Sequence, residues 1–214
     1  MLDRITWFRQ SALRWIDDER TIYMDPWGTP EDAPPADLIL ITHVHHDHFQ
    51  PKEIERLRKT GTKVVAPADV AAKLTGDVTP VAPGGSHEVA GVGFTTVPAY
   101  NTRNEALSFH PRAKGWVGYL IELGGLTYYH AGDTDHVPEL DEVRTDVAFL
   151  PIDGYFTMTP EVAAGLARSI APKLAVPFHY GFEVGSPSFG ERFRDAASPV
   201  PVELMHPTDP FEQE

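Results

Sequence analysis

Cysteine is absent from the 214 residues. Disulfides are therefore excluded, as is any metal site built on thiolates, and the composition fits a cytoplasmic home. No apolar run approaches the roughly 20 residues needed to cross a bilayer, and Met1-Leu2-Asp3-Arg4 lacks the apolar core of a secretory signal. Basic residues are scarce. Eighteen Lys and Arg stand against 31 Asp and Glu, a net charge of −13, which excludes a broad cationic footprint for long nucleic acids. A small anionic substrate stays open, because bound metal ions dominate the potential inside a cleft. Apolar content of 42% and charged content of 23% are those of a folded protein, and the length fits one domain over residues 1–214. The expected partner is a small molecule, and a homo-oligomer is compatible with the composition.

Histidine is what the chain has in concentrated form. Residues 38–48 read Leu-Ile-Leu-Ile-Thr-His-Val-His-His-Asp-His, a consecutive apolar run ending in the pattern H-x-H-x-D-H. A strand buried on both faces is apolar at every position, so Leu38–Ile41 reads as a buried strand. Where it ends the chain turns, and side chains two apart converge. Neutral imidazoles with a carboxylate suit Zn²⁺, and also Mn²⁺ or Fe²⁺. His43, His45, Asp47 and His48 are thus candidate ligands, while His46 is expected to point away. A surface histidine tract of adventitious affinity would sit among Gly and Ser, not at the end of a buried strand.

Two later segments repeat this logic. Tyr128-Tyr129-His130-Ala131-Gly132-Asp133-Thr134-Asp135 places Asp133 after a strand at a glycine turn. Ala175-Val176-Pro177-Phe178-His179-Tyr180-Gly181 places His179 in the same way. His130 either supports a ligand from behind or is a satisfied core histidine. Between residues 98 and 118 the one histidine, His110, is the candidate for a remaining ligand. Asn101 orients a ligand, binds substrate or caps a turn. Arg103, Arg112 and Lys114 flank His110, and either orient a phosphate or carboxylate or form a solvated loop. His87, His136 and His206 lack the strand-end context.

Strands are expected at Arg4–Gln10, Ala12–Ile16 and Thr21–Met24, with a turn at Asp17-Asp18-Glu19. Others are expected at Lys63–Ala66, Val89–Val97, Trp116–Leu123, Leu126–Tyr129, Val147–Ile152, Leu174–Pro177 and Val202–Met205. Helices are expected at Pro51–Thr60, stopping at Gly61, at Pro67–Leu74, and at Phe189–Ala197. Thr159 followed by Pro160 opens a further helix running to Ile170.

His43-x-His45-x-Asp47-His48, Ala131-Gly132-Asp133-Thr134 and the strand-end His179 resemble, in order, the motifs of the metallo-β-lactamase superfamily. Leu150-Pro151-Ile152-Asp153-Gly154 and Thr157-Met158-Thr159-Pro160 are similar to its small Zn-dependent hydrolases related to L-ascorbate-6-phosphate lactonases. The resemblance implies an α/β fold, an αβ/βα four-layer sandwich of two mixed sheets flanked by helices. It also implies that His43, His45 and a third histidine hold one metal. Asp47, His48 and His179 would hold a second, with Asp133 bridging. The chain departs from the family at Pro98-Ala99-Tyr100-Asn101, where the third histidine commonly stands.

The activity expected is hydrolysis by a metal-bound hydroxide, with one or two Zn or Mn ions per chain. Asp47 and Asp133 are the candidate catalytic residues, and Asn101, Arg112 and Lys114 the candidate substrate contacts. A small phosphodiester or phosphorylated compound is the expected substrate. The alternatives are a small lactone or a non-hydrolytic metal-binding or redox scaffold.

Overall fold

The computed structural model describes every residue except Asp18, Glu105, Leu107, Gln213 and Glu214. The middle of the expected turn at 17–19 thus lies outside the described residues. The first half of the chain builds one six-stranded sheet, from β1 (Ile5–Trp7), β2 (Leu13–Ile16), β3 (Thr21–Met24), β4 (Ala36–Leu40), β5 (Arg58–Pro67) and β6 (Val78–Val81). The second half builds the other, from β7 (Ser86–Val89), β8 (Val92–Pro98), β9 (Val117–Leu123), β10 (Leu126–His130), β11 (Val147–Pro151) and β12 (Leu174–Phe178). Strands lie in sequence order in both sheets. Each sheet begins antiparallel and ends parallel: β3, β4, β5 and β6 run together, as do β10, β11 and β12. This is the expected pair of mixed sheets.

Parallel neighbours need crossovers, and α-helices supply those that follow β4, β5 and β11. Helix α1 (Pro51–Leu57) joins β4 to β5, and the short α2 (Ala68–Ala71) joins β5 to β6. Helix α3 (Pro160–Ile170) joins β11 to β12, and α4 (Phe189–Ala197) packs on α3. Thr159 caps α3 by accepting from Val162 N, and Pro160 sits where no N–H is needed.

The consecutive apolar run of β4 is used on both faces. Leu38 and Leu40 enter the large core between the sheets, with Trp15, Ile22, Val65, Tyr119 and Ile121. Ile39 and Ile41 enter a second core under α1 with Ile54, Leu57, Val64 and Val70. Burial of this kind, at roughly 25 cal/mol per Å² of apolar surface, drives the layering.

Several expectations shift. Helix α1 stops at Leu57, three residues early, because β5 already begins at Arg58, where Arg58 pairs with Ala36. Thr62 then ties the strand by donating Oγ1–H to Ala36 O at 2.6 Å. Strands β6 and β7 carry no readable apolar pattern. Pro80 is tolerated in β6 because it pairs only with β5 at the sheet edge. Residues 202–205 form no strand beyond a single bridge of Val202 with Ala175. Pro201 has no N–H to extend the ladder, and the chain then crosses to the other sheet, where Thr208 N donates to Trp7 O. No helix among the described residues is long and apolar enough to cross a membrane.

Candidate metal centre

The carboxyl ends of β3, β4, β8, β10, β11 and β12 open toward one edge of the sandwich, and the chemistry-bearing residues follow them. Past β4, Ile41 N still bonds Val65 O, and Thr42 O accepts from Val117 N of the opposite sheet. His43 therefore leaves a rigid strand end, buried. A helical turn follows, with His48 N and Phe49 N both donating to His45 O, and it swings Asp47 and His48 back toward the same point. Past β10, Gly132 takes a φ of +63°, and a Cβ there would lie 3.0 Å from Thr42 Cβ and 3.1 Å from Val117 O. Glycine takes this close left-handed turn without strain, and the turn delivers Asp133 between the sheets.

His43, His45, His110 and Asp133 form one group of converging ligand atoms; Asp47, His48 and His179 form a second. Asp133 stands between them. Its Oδ2 is 3.3 Å from His110 Nε2, 3.8 Å from His43 Nε2 and 3.3 Å from His179 Nε2, while its Oδ1 is 3.3 Å from His48 Nε2. Asp47 Oδ2 lies 3.1 Å from His179 Nε2 and 3.5 Å from His48 Nε2. The structure thus brings together all seven sequence-derived ligand candidates, His110 among them.

The far nitrogen of each imidazole is held so that the near one faces the group. His48 Nδ1 donates to Asp25 Oδ2 at 2.7 Å, and His110 Nδ1 to Asn101 Oδ1 at 2.7 Å. Thr42 spends its hydroxyl proton on Asp25 Oδ2, so its oxygen accepts from His43 Nδ1 at 3.0 Å. His179 Nδ1 faces Asp153 Oδ2 at 3.2 Å. In all four, the second ring nitrogen, Nε2, is thereby turned inward toward the group. His45 joins through Nδ1, 3.1 Å from His43 Nε2.

This arrangement fits divalent cations. His48 Nε2, His110 Nε2 and Asp133 Oδ1 are buried and make no hydrogen bond among the described residues, although oppositely chargeable atoms stand 3.3 Å away. Atoms that converge without directing hydrogen bonds at one another are disposed as ligands around an ion. Burial first, and the neighbouring His48 next, push His43 well below its ordinary pKa; burial and then His110 bring His45 down to about 4. Both are neutral, as ligands must be. Burial alone would lower His48 and His179, but Asp133 and its neighbours outweigh it and raise both. Asp47 and Asp133 are driven below the ordinary carboxylate range, burial opposing and the histidine charges prevailing. Protons on His48 and His179 thus balance the carboxylates in the metal-free protein, and cation binding would displace them.

Several supporting residues escape a reading of the sequence. Asp25, buried and at a φ of +45°, accepts from Thr42 N, Thr42 Oγ1 and His48 Nδ1. Its sequence context, Asp-Pro-Trp-Gly, signals only a turn. Asp153 accepts from Tyr155 N, Phe156 N and Thr157 Oγ1, which fixes the carboxylate behind His179. Asp135 accepts from Thr102 N and Arg103 N and pairs with Arg103 Nε, clamping the start of the 101–110 loop to the Asp133 turn. The Gly-Asp-Thr-Asp spacing was the available signal for it. His130 supports the Asp133 turn from behind: Nε2 donates to Ser11 O and Nδ1 accepts from Gly132 N.

Asn101 is used differently from a substrate contact. Its Oδ1 accepts from both His110 N and His110 Nδ1, and its Nδ2 donates to Phe156 O. Its amide oxygen is spent on His110, which stands in for the missing strand-end histidine, and its amide nitrogen on Phe156 O. Nor does the structure bring Arg112 and Lys114 to the centre. Arg112 pairs with Glu139 and covers the Tyr100 ring, and Lys114 lies over Trp116. Arg112 borders a separate hollow, because Gly115 turns the chain away before β9. Arg103 is spent on Asp135 and Thr157 O. His46 sits at the exposed rim, 3.0 Å from Glu183, and belongs to neither ligand group. His87, His136 and His206 also lie outside both groups.

The centre opens into a cleft of about 220 Å³ lined by His45, Asp47, Asp133 and His179, by Gln10, His46 and Glu183, and by Phe109, Phe156 and Val184. Phe109 and Phe156 meet edge to face at 4.7 Å, with Tyr155 against both and 62% exposed.

A family model described as a beta-lactamase superfamily domain matches residues 4–179. The chain is 35% identical over 194 residues to a UPF0173 metal-dependent hydrolase of Thermococcus onnurineus, covering 83% of this chain and 84% of that protein. It is 30% identical to a UPF0173 metal-dependent hydrolase of Methanopyrus kandleri, over 98% of this chain and 100% of the other. A solved structure from Parabacteroides distasonis matches with a TM-score of 0.83 at 33% identity, over 95% of this chain and 93% of its own. A metallo hydrolase from Ignicoccus hospitalis matches at 0.76 and 27%, over 96% and 95%.

Proposed function

Because this chain belongs to the beta-lactamase superfamily, as one of its metal-dependent hydrolases, we propose that it hydrolyses a small carbonyl compound, a lactone or ester with an apolar substituent. The observation that carries this is the lining of the cleft. Phe109, Phe156 and Val184 form its wall, and among the described residues no Lys or Arg lines it. Arg112 and Lys114, the side chains expected to anchor a phosphate, are spent on Glu139 and Trp116 and are not among the residues described around the cleft. Two cations in the two ligand groups would supply Lewis acidity, activating a water and drawing charge from the carbonyl oxygen.

The chain's own residues do the rest. Asp133 lies between both groups and fixes their spacing. Asp47 lines the cleft and is the carboxylate placed to hold or relay a proton from the attacking water. Asp25, Asn101 and Asp153 fix the imidazole planes, so that little reorganisation is left for the reaction. The aromatic wall takes the apolar substituent and excludes bulk water beside it.

The test is a comparison of metal-loaded protein on p-nitrophenyl phenylacetate, a phenyl-substituted γ-lactone and bis(p-nitrophenyl) phosphate. The ester or lactone should be turned over fastest, and Asp133→Asn should abolish the metal-dependent rate. Preference for the phosphodiester would overturn the assignment. A coloured, iron-containing protein inactive on all three would point to redox chemistry instead.

A further inference from the structure

Gln10 lines the cleft from the loop between β1 and β2, yet it belongs to neither ligand group. Its backbone is left-handed, with a φ of +43°, a strained conformation for a glutamine that persists only where the surroundings impose it. Here they do. Gln10 O accepts from Trp7 Nε1 at 2.8 Å and from His179 N at 3.1 Å. These two bonds fix the Gln10 backbone, one of them tying it to the His179 turn, and Gln10 lines the cleft from there.

Gln10 is 1% exposed, and the two polar atoms of its side chain are treated unequally. Nε2 reaches Asp47 Oδ2 at 3.4 Å, and since a carboxylate only accepts, this contact fixes which way the amide faces. Oε1 is left buried with no donor among the described residues. A buried amide oxygen without a donor is unfavourable, so a ligand that supplies a donor is favoured over one that cannot. The other polar groups at the cleft floor, the ligand histidines and carboxylates, turn toward the metal positions; Gln10 Oε1 does not belong to either group.

We propose that Gln10 is a specificity residue whose Oε1 accepts a hydrogen bond from an N–H or O–H that the substrate carries beside the hydrolysed carbonyl. This rests on the reading that the cleft receives a carbonyl compound. The substrate class narrows accordingly, to α-acylamino or α-hydroxy esters and lactones with an apolar side chain for the aromatic wall.

The test uses a matched pair of non-hydrolysable ligands. N-acetylphenylalanine offers a carboxylate for the cations, a ring for the wall and one N–H. 2-Benzyl-4-oxopentanoate is the same molecule with CH2 in place of that N–H. Calorimetric titration of the metal-loaded wild type should give the N–H ligand about tenfold tighter binding, the worth of one buried hydrogen bond. Gln10→Met keeps the volume and the same backbone demand, and should bind both ligands alike. Gln10→Asn, which tolerates a left-handed backbone and withdraws the oxygen by one carbon, should do the same if the Met variant folds poorly.

Equal affinities in the wild type, no binding of either ligand, or an equal loss of both in the variants would overturn the proposal; the last would make Gln10 a support for Asp47. The methyl ester of N-acetylphenylalanine judges the underlying reaction separately. Discrimination in binding without ester hydrolysis sinks the hydrolytic reading alone, and hydrolysis without discrimination sinks the role of Gln10 alone.

Discussion

At the scale of single residues, His110 carries the largest consequence, because it stands in for a histidine that the chain lacks at the end of β8. Its Nε2 is buried, makes no hydrogen bond among the described residues, and lies 3.3 Å from Asp133 Oδ2. His110→Ala should lower bound metal by about one equivalent per chain as read by elemental analysis, leaving the group of Asp47, His48 and His179 loaded. An unchanged count would remove His110 from the ligands. Asn101 acts through His110, since both its polar ends are spent on His110 and Phe156 O. Asn101→Leu should weaken the first metal by about 10- to 100-fold while leaving the second, a split that a merely structural role would not produce. A chelator titration followed by metal release resolves the two. The sequence left the role of Asn101 open because its partner lies nine residues away across an irregular loop.

At the scale of elements, the legible parts are those where one local pattern serves one purpose. The apolar run of β4 is continuous with its histidines, so strand, turn and ligands could be read together. The same holds for β10 with Asp133 and β12 with His179. Helix α3 announces itself by Thr159 and Pro160, and its bounds come out as expected. Asp25 was not legible, because a buried acceptor for Thr42 and His48 looks locally like any Asp-Pro turn. The charges of Arg112 and Lys114 could not say which side of the loop they face; Gly115, at a φ of +65°, decides that. The Gly132 turn is the element that joins β10 to the centre. Gly132→Ala should cost about 1–3 kcal/mol, from the left-handed backbone and from contacts at 3.0 Å with Thr42 and 3.1 Å with Val117 O. Asp133 should move with the turn, so metal affinity should fall together with the denaturant midpoint. A normal midpoint with normal affinity would show that the turn adapts.

At the scale of the whole molecule, each half of the chain makes one sheet, and neither sheet holds a complete ligand set. His43, His45, Asp47 and His48 follow β4 of the first sheet; His110, Asp133 and His179 come from the second. The two edges already meet through Val117 N to Thr42 O, Tyr119 Oη to Ile41 O, His130 Nε2 to Ser11 O and His179 N to Gln10 O. Cations between them would add ties that exist only in the folded state, since the unfolded chain scatters these ligands over more than a hundred residues. Such ligands stabilise by mass action, about 2.7 kcal/mol at a free concentration a hundredfold above Kd. For a chain of this size that corresponds to a rise in Tm of roughly 5–10 °C. Thermal melts should therefore drop after dialysis against chelator and climb with added Zn²⁺ or Mn²⁺, continuing to climb beyond stoichiometry. Asp133→Asn, which weakens the shared carboxylate, should lose most of that climb while its chelated form melts near the chelated wild type. A wild-type Tm indifferent to both chelator and metal would mean that the folded state does not bind these ions, and the assignment of the centre would fall with it.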